Sequence, residues 1–166
     1  DMRRLWSFLR TTQQEVLDEY KGKNIETELP KQLSKAIDTF GIIDILRNGL
    51  DIDNIHITMF YPKPSPADSL LSKEKYNQNQ FSITRQQTFS VGNPGLEIDM
   101  VLYVNGLPLF TFEFKNPWTH QTAKYDGQKQ YKEERNPKET LLKFGRCLAH
   151  FTMDKNEVYF TTKLNL

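Results

Sequence analysis

Two runs of strand-forming residues flank Asn105-Gly106, and no other segment restricts the possible folds as tightly. Leu96 to Val104 on one side and Leu107 to Lys115 on the other are rich in β-branched and aromatic residues, which suit a pleated surface. Asn-Gly tolerates the positive φ angles of a tight hairpin. The chain must therefore build an antiparallel pair here, and the loop length decides on which faces Asp99 and Glu113 lie. A two-residue turn pairs Val104 with Leu107 and Asp99 with Phe112, sending Asp99 and Glu113 to opposite faces. A three-residue loop of Val104-Asn105-Gly106, closed by Gly106 in the left-handed conformation as a bulge, pairs Tyr103 with Leu107. Asp99, Thr111, Glu113 and Lys115 then share one face. The other face collects Ile98, Met100, Leu102, Phe110, Phe112 and Phe114 as an apolar core surface. Burial favours this bulged register, because the alternative mixes Asp99 with the phenylalanine row and strands Glu113 beside Met100.

Around the hairpin, hydrophobic periodicity predicts a helix from Leu5 to Leu17 and a second from Leu33 to Leu46 that stops at Asn48-Gly49. Strands are expected at Ile55 to Tyr61, Ile83 to Val91, Gly145 to Met153 and Val158 to Leu164, with a helix from His120 to Arg135 closed by Asn136-Pro137. The polar, Pro-punctuated stretch 62–80 reads as a surface insertion with at most a short helix. The order α, α, β, β, β, β, α, β, β defines an α/β chain.

At 166 residues, with 37% apolar side chains, residues 1–166 read as one domain. A net charge of +1 means that any surface for a polyanion must be local. The single cysteine, Cys147, excludes an internal disulfide, and three scattered histidines offer no zinc spacing. A reducing, cytoplasmic setting fits best. No apolar run reaches the roughly 18 residues that a membrane span needs, and the start is unlike a signal peptide. The beginning at Asp1-Met2 and the end at Asn165-Leu166, straight after a strand-like run, suggest a piece of a longer protein.

Two carboxylates on one sheet face suit Mg2+, which takes one or two carboxylates plus water and phosphate oxygens. Asp99 and Glu113 meet that requirement. Lys115, two residues beyond Glu113 and so on its side of the strand, is placed to orient a water and stabilise charge on phosphorus. By itself, Glu-x-Lys on a strand is usually an exposed ion pair of small energetic worth. Glu97 is an alternative carboxylate for the metal. His120 is a surface residue or a proton carrier, whereas His56 and His150 lie within strand patterns as structural residues. Cys147 reads as a small buried hydrophobe. Lys124, Lys129, Lys132 and Arg135 either meet phosphates along the last helix or form an ordinary solvated face. Arg85 and Gln86-Gln87 are backbone-contacting candidates on the neighbouring strand.

An Asp on one strand and Glu-x-Lys on the next, with helix and strand before and after, resembles the PD-(D/E)XK nuclease superfamily. More narrowly, Thr84-Arg85-Gln86, the run from Ile98 to Pro108, Phe112-Glu113-Phe114-Lys115-Asn116-Pro117, Gln130-Tyr131-Lys132 and Phe144-Gly145-Arg146-Cys147 resemble the N-terminal nuclease region of the restriction (motor) subunit of type I restriction-modification enzymes. The resemblance implies a restriction-endonuclease-like fold, a mixed central sheet with an αβββαβ core flanked by helices. It implies catalysis by Asp99, Glu113 and Lys115, with Asp99 and Glu113 holding Mg2+, and cleavage of double-stranded DNA. It also implies ATP-driven motor domains later in the same chain, with methylation and specificity subunits as partners. ATP belongs to the full-length enzyme only, because no Gly-x-x-x-x-Gly-Lys loop lies here.

Two features depart from the pattern. Ile98 stands where the superfamily name has Pro, and the Gln-x-x-x-Tyr helix motif is absent, since Gly127 lies four residues before Tyr131. Gln128, Gln130 and Tyr131 remain candidates for substrate contact. A further helical acid could be Glu26, Glu28, Asp38 or Asp44. The competing readings are a non-catalytic DNA-clamping or subunit-docking module on the same fold, and a stand-alone repair or junction nuclease.

Overall fold

The computed structural model describes residues 1–164, so Asn165 and Leu166 lie outside the described residues. The chain divides into two compact units, one of residues 1–81 with 104–107 and the other of 82–103 with 108 onward.

In the first unit, α1 (Met2–Asp18) is capped by the Asp1 side chain and α2 (Ile25–Phe40) by Asn24, whose side chain accepts from Glu26 N and Thr27 N. Such caps satisfy amide donors that the first helical turn leaves without partners. The apolar stripe expected to form one helix to Leu46 is broken at Gly41, whose φ of 84° ends α2 and opens α3 (Ile42–Asn48). A short hairpin follows, β1 (Leu50–Ile52) paired antiparallel with β2 (Ile55–Ile57). The expected strand to Tyr61 thus ends early. Within 62–80 the only regular element is α4 (Leu70–Asn77), which has no buried residue. Leu5, Phe8, Leu9, Leu29, Leu33, Ile42, Ile45, Ile57 and Met59 are buried and make the core of this unit.

Two amides tie its irregular segments together. Gln13 leaves the helical region (φ −148°), and its side chain bonds both backbone groups of Thr58, each at 2.8 Å. Asn105, fully buried, accepts from Gln80 N at 2.7 Å and donates to Met59 O at 2.9 Å and Asn79 Oδ1 at 3.0 Å. The hairpin tip is therefore a polar anchor for the 59–80 segment.

The second unit carries five strands in the order β3-β4-β5-β6-β7: β3 (Phe81–Thr88), β4 (Glu97–Val104), β5 (Leu107–Phe114), β6 (Ala149–Met153) and β7 (Val158–Thr161). β5 and β6 are parallel, β6 and β7 antiparallel, so the sheet is mixed. A parallel neighbour requires a long crossover. It is supplied by a 3-10 turn (Pro117–Thr119) and a helical segment with two π-type turns, Ala123–Gly127 and Gln130–Glu134. Bonds from Gly127 N to Thr122 O and from Arg135 N to Gln130 O span five residues, as wide turns require. The buried positions of this helix recur every fourth residue: Ala123, Gly127, Tyr131 and Arg135. Gly127 is indispensable to that face, because a Cβ there would lie 1.7 Å from Thr152 Oγ1.

Two expectations about the hairpin are corrected. The loop is the two-residue kind: Asn105 has φ 50° and Gly106 φ 80°, with strand resuming at Leu107, as in a primed turn. The phenylalanine row is also not the core. Phe110 and Phe112 are only partly buried and Phe114 is 44% exposed. The rings stack along their own face instead, Phe112 with Phe114 at 6.2 Å and with Phe151 at 5.2 Å, and Phe151 with Phe160 at 5.6 Å. The core consists of Phe89, Ile98, Val101, Tyr103, Tyr131, Leu142 and Leu164.

Replacing Asn105 with Ala removes three side-chain hydrogen bonds and forces a Cβ residue without an amide into a positive φ. The expected loss is about 2–4 kcal/mol in denaturant unfolding. A change below roughly 0.5 kcal/mol would refute the anchoring role.

Candidate active site

The buried face of β5 is polar. Thr111 and Glu113 point inward there, across from His150 and Thr152 on β6. A carboxylate out of water needs a cation or donors, and Glu113, only 1% exposed, finds both in Arg135. Nε and Nη2 of that guanidinium donate to Glu113 Oε1 at 3.0 and 2.6 Å. Nη2 also donates to the Glu97 carbonyl at 2.8 Å, and the guanidinium lies 5.1 Å from the Phe89 ring centroid. Burial raises the Glu113 carboxyl to about 7; Arg135 pulls the other way, and the Asp99 charge adds to the rise. The group is held at the edge of ionisation.

Asp99 reaches the same strand end. Its Oδ2 accepts from Phe114 N at 2.7 Å. A two-residue turn alone would carry Asp99 to the other face, but β4 does not alternate cleanly. Its buried positions are Ile98, Val101, Tyr103 and Val104, so the alternation breaks both after Ile98 and after Tyr103. Lys115 sits just past β5, where its backbone amide bonds Met153 O at 2.8 Å and its ammonium donates to Gln130 Oε1.

Tyr131 lies behind these groups. Its hydroxyl is 2.8 Å from Thr111 Oγ1, which is 2.7 Å from His150 Nδ1. Burial lowers the His150 pKa to about 4, so the imidazole is neutral at ordinary pH. Burial pushes the Cys147 thiol up to about 12, which keeps it protonated and unreactive.

The geometry therefore brings together Asp99, Glu113, Lys115 and Gln130, with Tyr131 one layer further in. Gln128 instead accepts from Lys132 at 2.9 Å. Arg85 is exposed on β3, next to the positive-φ residue Gln86. The Glu97 side chain is exposed, and only its carbonyl joins the cluster. His120 is exposed after the 3-10 turn, and His56 pairs with Asp51 at 2.7 Å on β1–β2. The helical acids Glu26, Glu28, Asp38 and Asp44 all belong to the first unit. There Glu26 meets Arg10 at 2.6 Å and Glu28 meets Lys31 at 3.2 Å. Among the described residues, no group of three or more His, Cys, Asp and Glu side chains converges as a metal cage. Asp99 and Glu113 stand as a pair, a set that Mg2+ accepts when water and phosphate oxygens complete its shell.

Arg135 is the residue that sequence reasoning misplaced, as a possible phosphate contact on a solvated face. Its signal was available: it falls four residues after Tyr131, on the buried side of the helix.

Fold and site together define a mixed α/β domain with an acid, acid and lysine cluster at one end of its sheet. The chain belongs to the family described as type I restriction enzyme R protein N terminus, whose model matches residues 4–166. Neither the curated proteins nor the solved structures searched gave a match. No helix among the described residues is long and apolar enough to cross a membrane.

The Arg135–Glu113 pair yields a double-mutant prediction. Arg135→Met alone strands a buried carboxylate and should cost about 3–5 kcal/mol, while adding Glu113→Leu should restore most of it. A loss in the double variant equal to the sum of the losses in the two single variants, measured by chemical denaturation, would show that the two groups are not coupled.

Proposed function

We propose that this domain is the DNA-cleaving module of a type I restriction enzyme R subunit, a Mg2+-dependent endonuclease of the PD-(D/E)XK kind. The observation that carries this reading is the meeting of Asp99, Glu113 and Lys115 at one strand end, with Glu113 and Lys115 each held by a second side chain. Family membership supports it, since the R protein belongs to a restriction system.

In this account Asp99 and Glu113 would hold the metal. Phe114 N and Arg135 engage Oδ2 and Oε1, so Oδ1 and Oε2 are the oxygens that would hold it. When bound, Mg2+ supplies Lewis-acid activation of the scissile phosphate and of a water. Arg135 keeps the Glu113 carboxylate oriented and favours its ionised form against burial. Lys115 is held by Gln130 near the reacting phosphate, where its ammonium orients the attacking water and stabilises the developing negative charge. Tyr131 and Thr111 support the strand and helix from within. The substrate is double-stranded DNA, delivered by ATP-driven motor domains of the same chain. Methylation and specificity subunits supply target recognition, and the setting is the cytoplasm.

A second reading is favoured by one observation, that Glu113 is closed into a buried ion pair. On that reading the acid is structural, and the domain clamps DNA or docks subunits without cutting.

The two readings separate in the assembled enzyme. Asp99→Asn, Glu113→Gln and Lys115→Ala should each lower DNA cleavage by at least about a hundredfold while ATP hydrolysis continues. Cleavage that survives all three substitutions would exclude the catalytic reading and favour the clamp.

A further inference from the structure

Beside the candidate active site lies a second polar feature that the cleavage reading does not use. A half-open cavity of about 160 Å3 is bounded by the π-type helix, β6 and β7. Tyr131, Lys132, His150, Thr152, Tyr159 and Lys163 are among its lining residues. His150 is 1% exposed and Thr152 3%, yet among the described residues His150 Nε2 and Thr152 Oγ1 have no hydrogen-bond partner. Buried polar atoms are ordinarily paired, and an orphan on a cavity wall calls for a ligand or water.

Counting donors orients the chain behind it. With the Tyr131 hydroxyl donating to Thr111, and Thr111 donating to His150 Nδ1, both hydroxyl hydrogens are used and the proton of the neutral imidazole resides on Nε2. The opposite direction would leave the Tyr131 hydrogen without an acceptor as well. The cavity is thus lined by residues that carry an unpaired N–H donor and an unpaired hydroxyl, by Tyr131 and Tyr159, and by the exposed Lys132 and Lys163.

We propose that this cavity receives a single nucleobase of a nucleotide or unpaired strand, its polar edge bonded to His150 Nε2 and Thr152 and its phosphate near Lys132 and Lys163. The cavity has room for one heterocyclic ring system. A base combines an aromatic face with a hydrogen-bonding edge, which matches a lining that includes two tyrosines and two residues with unpaired polar atoms. A bare anion fits less well, because the His150 imidazole is neutral and the burial that keeps it so opposes the charge a phosphate would draw onto it. The location is consistent with work on DNA: Thr152 is the register partner of Glu113 on the adjacent strand, and Gln130, which holds Lys115, is on the bordering helix. The choice of a nucleic-acid ligand rests on the DNA-directed reading above. The binding itself needs neither metal nor cleavage, so the two can fail separately.

The test uses the 166-residue chain labelled with 15N-histidine, without divalent metal. The four deoxynucleoside monophosphates, deoxyribose 5-phosphate and inorganic phosphate are titrated separately. At least one nucleotide should bind at or below about millimolar concentration and shift the His150 Nε2 resonance, whereas the two base-free probes should not. His150→Phe should weaken that nucleotide at least about tenfold. Lys132→Ala with Lys163→Ala, at exposed positions that spare the core, should weaken the nucleotide but not the matching free base. The proposal is overturned if no nucleotide binds, if inorganic phosphate shifts Nε2 equally, or if a folded His150→Phe binds as tightly. Should His150→Phe fail to fold, unchanged nucleotide affinity in the double lysine variant overturns it. A positive result alongside intact cleavage in the Glu113→Gln and Lys115→Ala enzymes would retain the pocket and remove the catalytic reading.

Discussion

The ion pair between Glu113 and Arg135 is the contact on which the arrangement of the second unit depends. A carboxylate 1% exposed near the end of a sheet strand is costly without a counter-charge, and Arg135 is the partner that offsets part of the penalty. Arg135 must therefore be delivered inward at the end of the crossover. The helix does this with wide turns that keep Ala123, Gly127, Tyr131 and Arg135 on the sheet side. Gly127 admits the helix to Thr152 on β6, and Tyr131 ties it to Thr111 on β5. Thr111 and Glu113, the polar half of the buried face of β5, are thus both bonded to one helix, and the same helix carries Gln130 to Lys115.

This explains why the apolar side of the hairpin does not make the core. The expectation that Phe110, Phe112 and Phe114 would be covered assumed that the more hydrophobic face is always the buried one. Here the buried face is built from Thr111, Glu113, Tyr131, Arg135 and His150, whose polar groups largely satisfy one another, while aliphatic and aromatic residues of β4 and the flanking loops fill around them. The phenylalanines gain offset ring contacts with Phe151 and Phe160 across β6 and β7. Mutual satisfaction of polar groups is invisible to a hydrophobic pattern, because it depends on residues twenty or more positions apart.

Much of the fold was nevertheless legible. The hairpin around Asn105-Gly106, the strand before Pro117, the crossover helix and the two strands at the end all follow from local signals, and the acid, acid and lysine pattern drew attention to the strand end that the structure makes polar. The failures have separate causes. Three-residue strands such as Leu50–Ile52 are too short for a period to register. Gly41 breaks a stripe whose hydrophobic spacing continues through it. The loop at Asn105-Gly106 was expected to hold three residues and holds two, because Asn105 itself takes a positive φ beside Gly106. Arg135 was read with the lysines of its helix, although its four-residue spacing from Tyr131 separates it from them.

The account makes Asp99 and Glu113 a ligand pair that uses the carboxylate oxygens turned away from Phe114 N and Arg135. Anomalous diffraction from crystals of the domain soaked in Mn2+ measures that directly, since Mn2+ takes the same oxygen ligands as Mg2+. The prediction is an ion bridging the two carboxylates at about 2.0–2.2 Å, with Arg135 still on Glu113 Oε1, and its loss in the Asp99→Asn variant. Manganese bound elsewhere, or absent from a site whose Glu113 remains closed on Arg135, would contradict it.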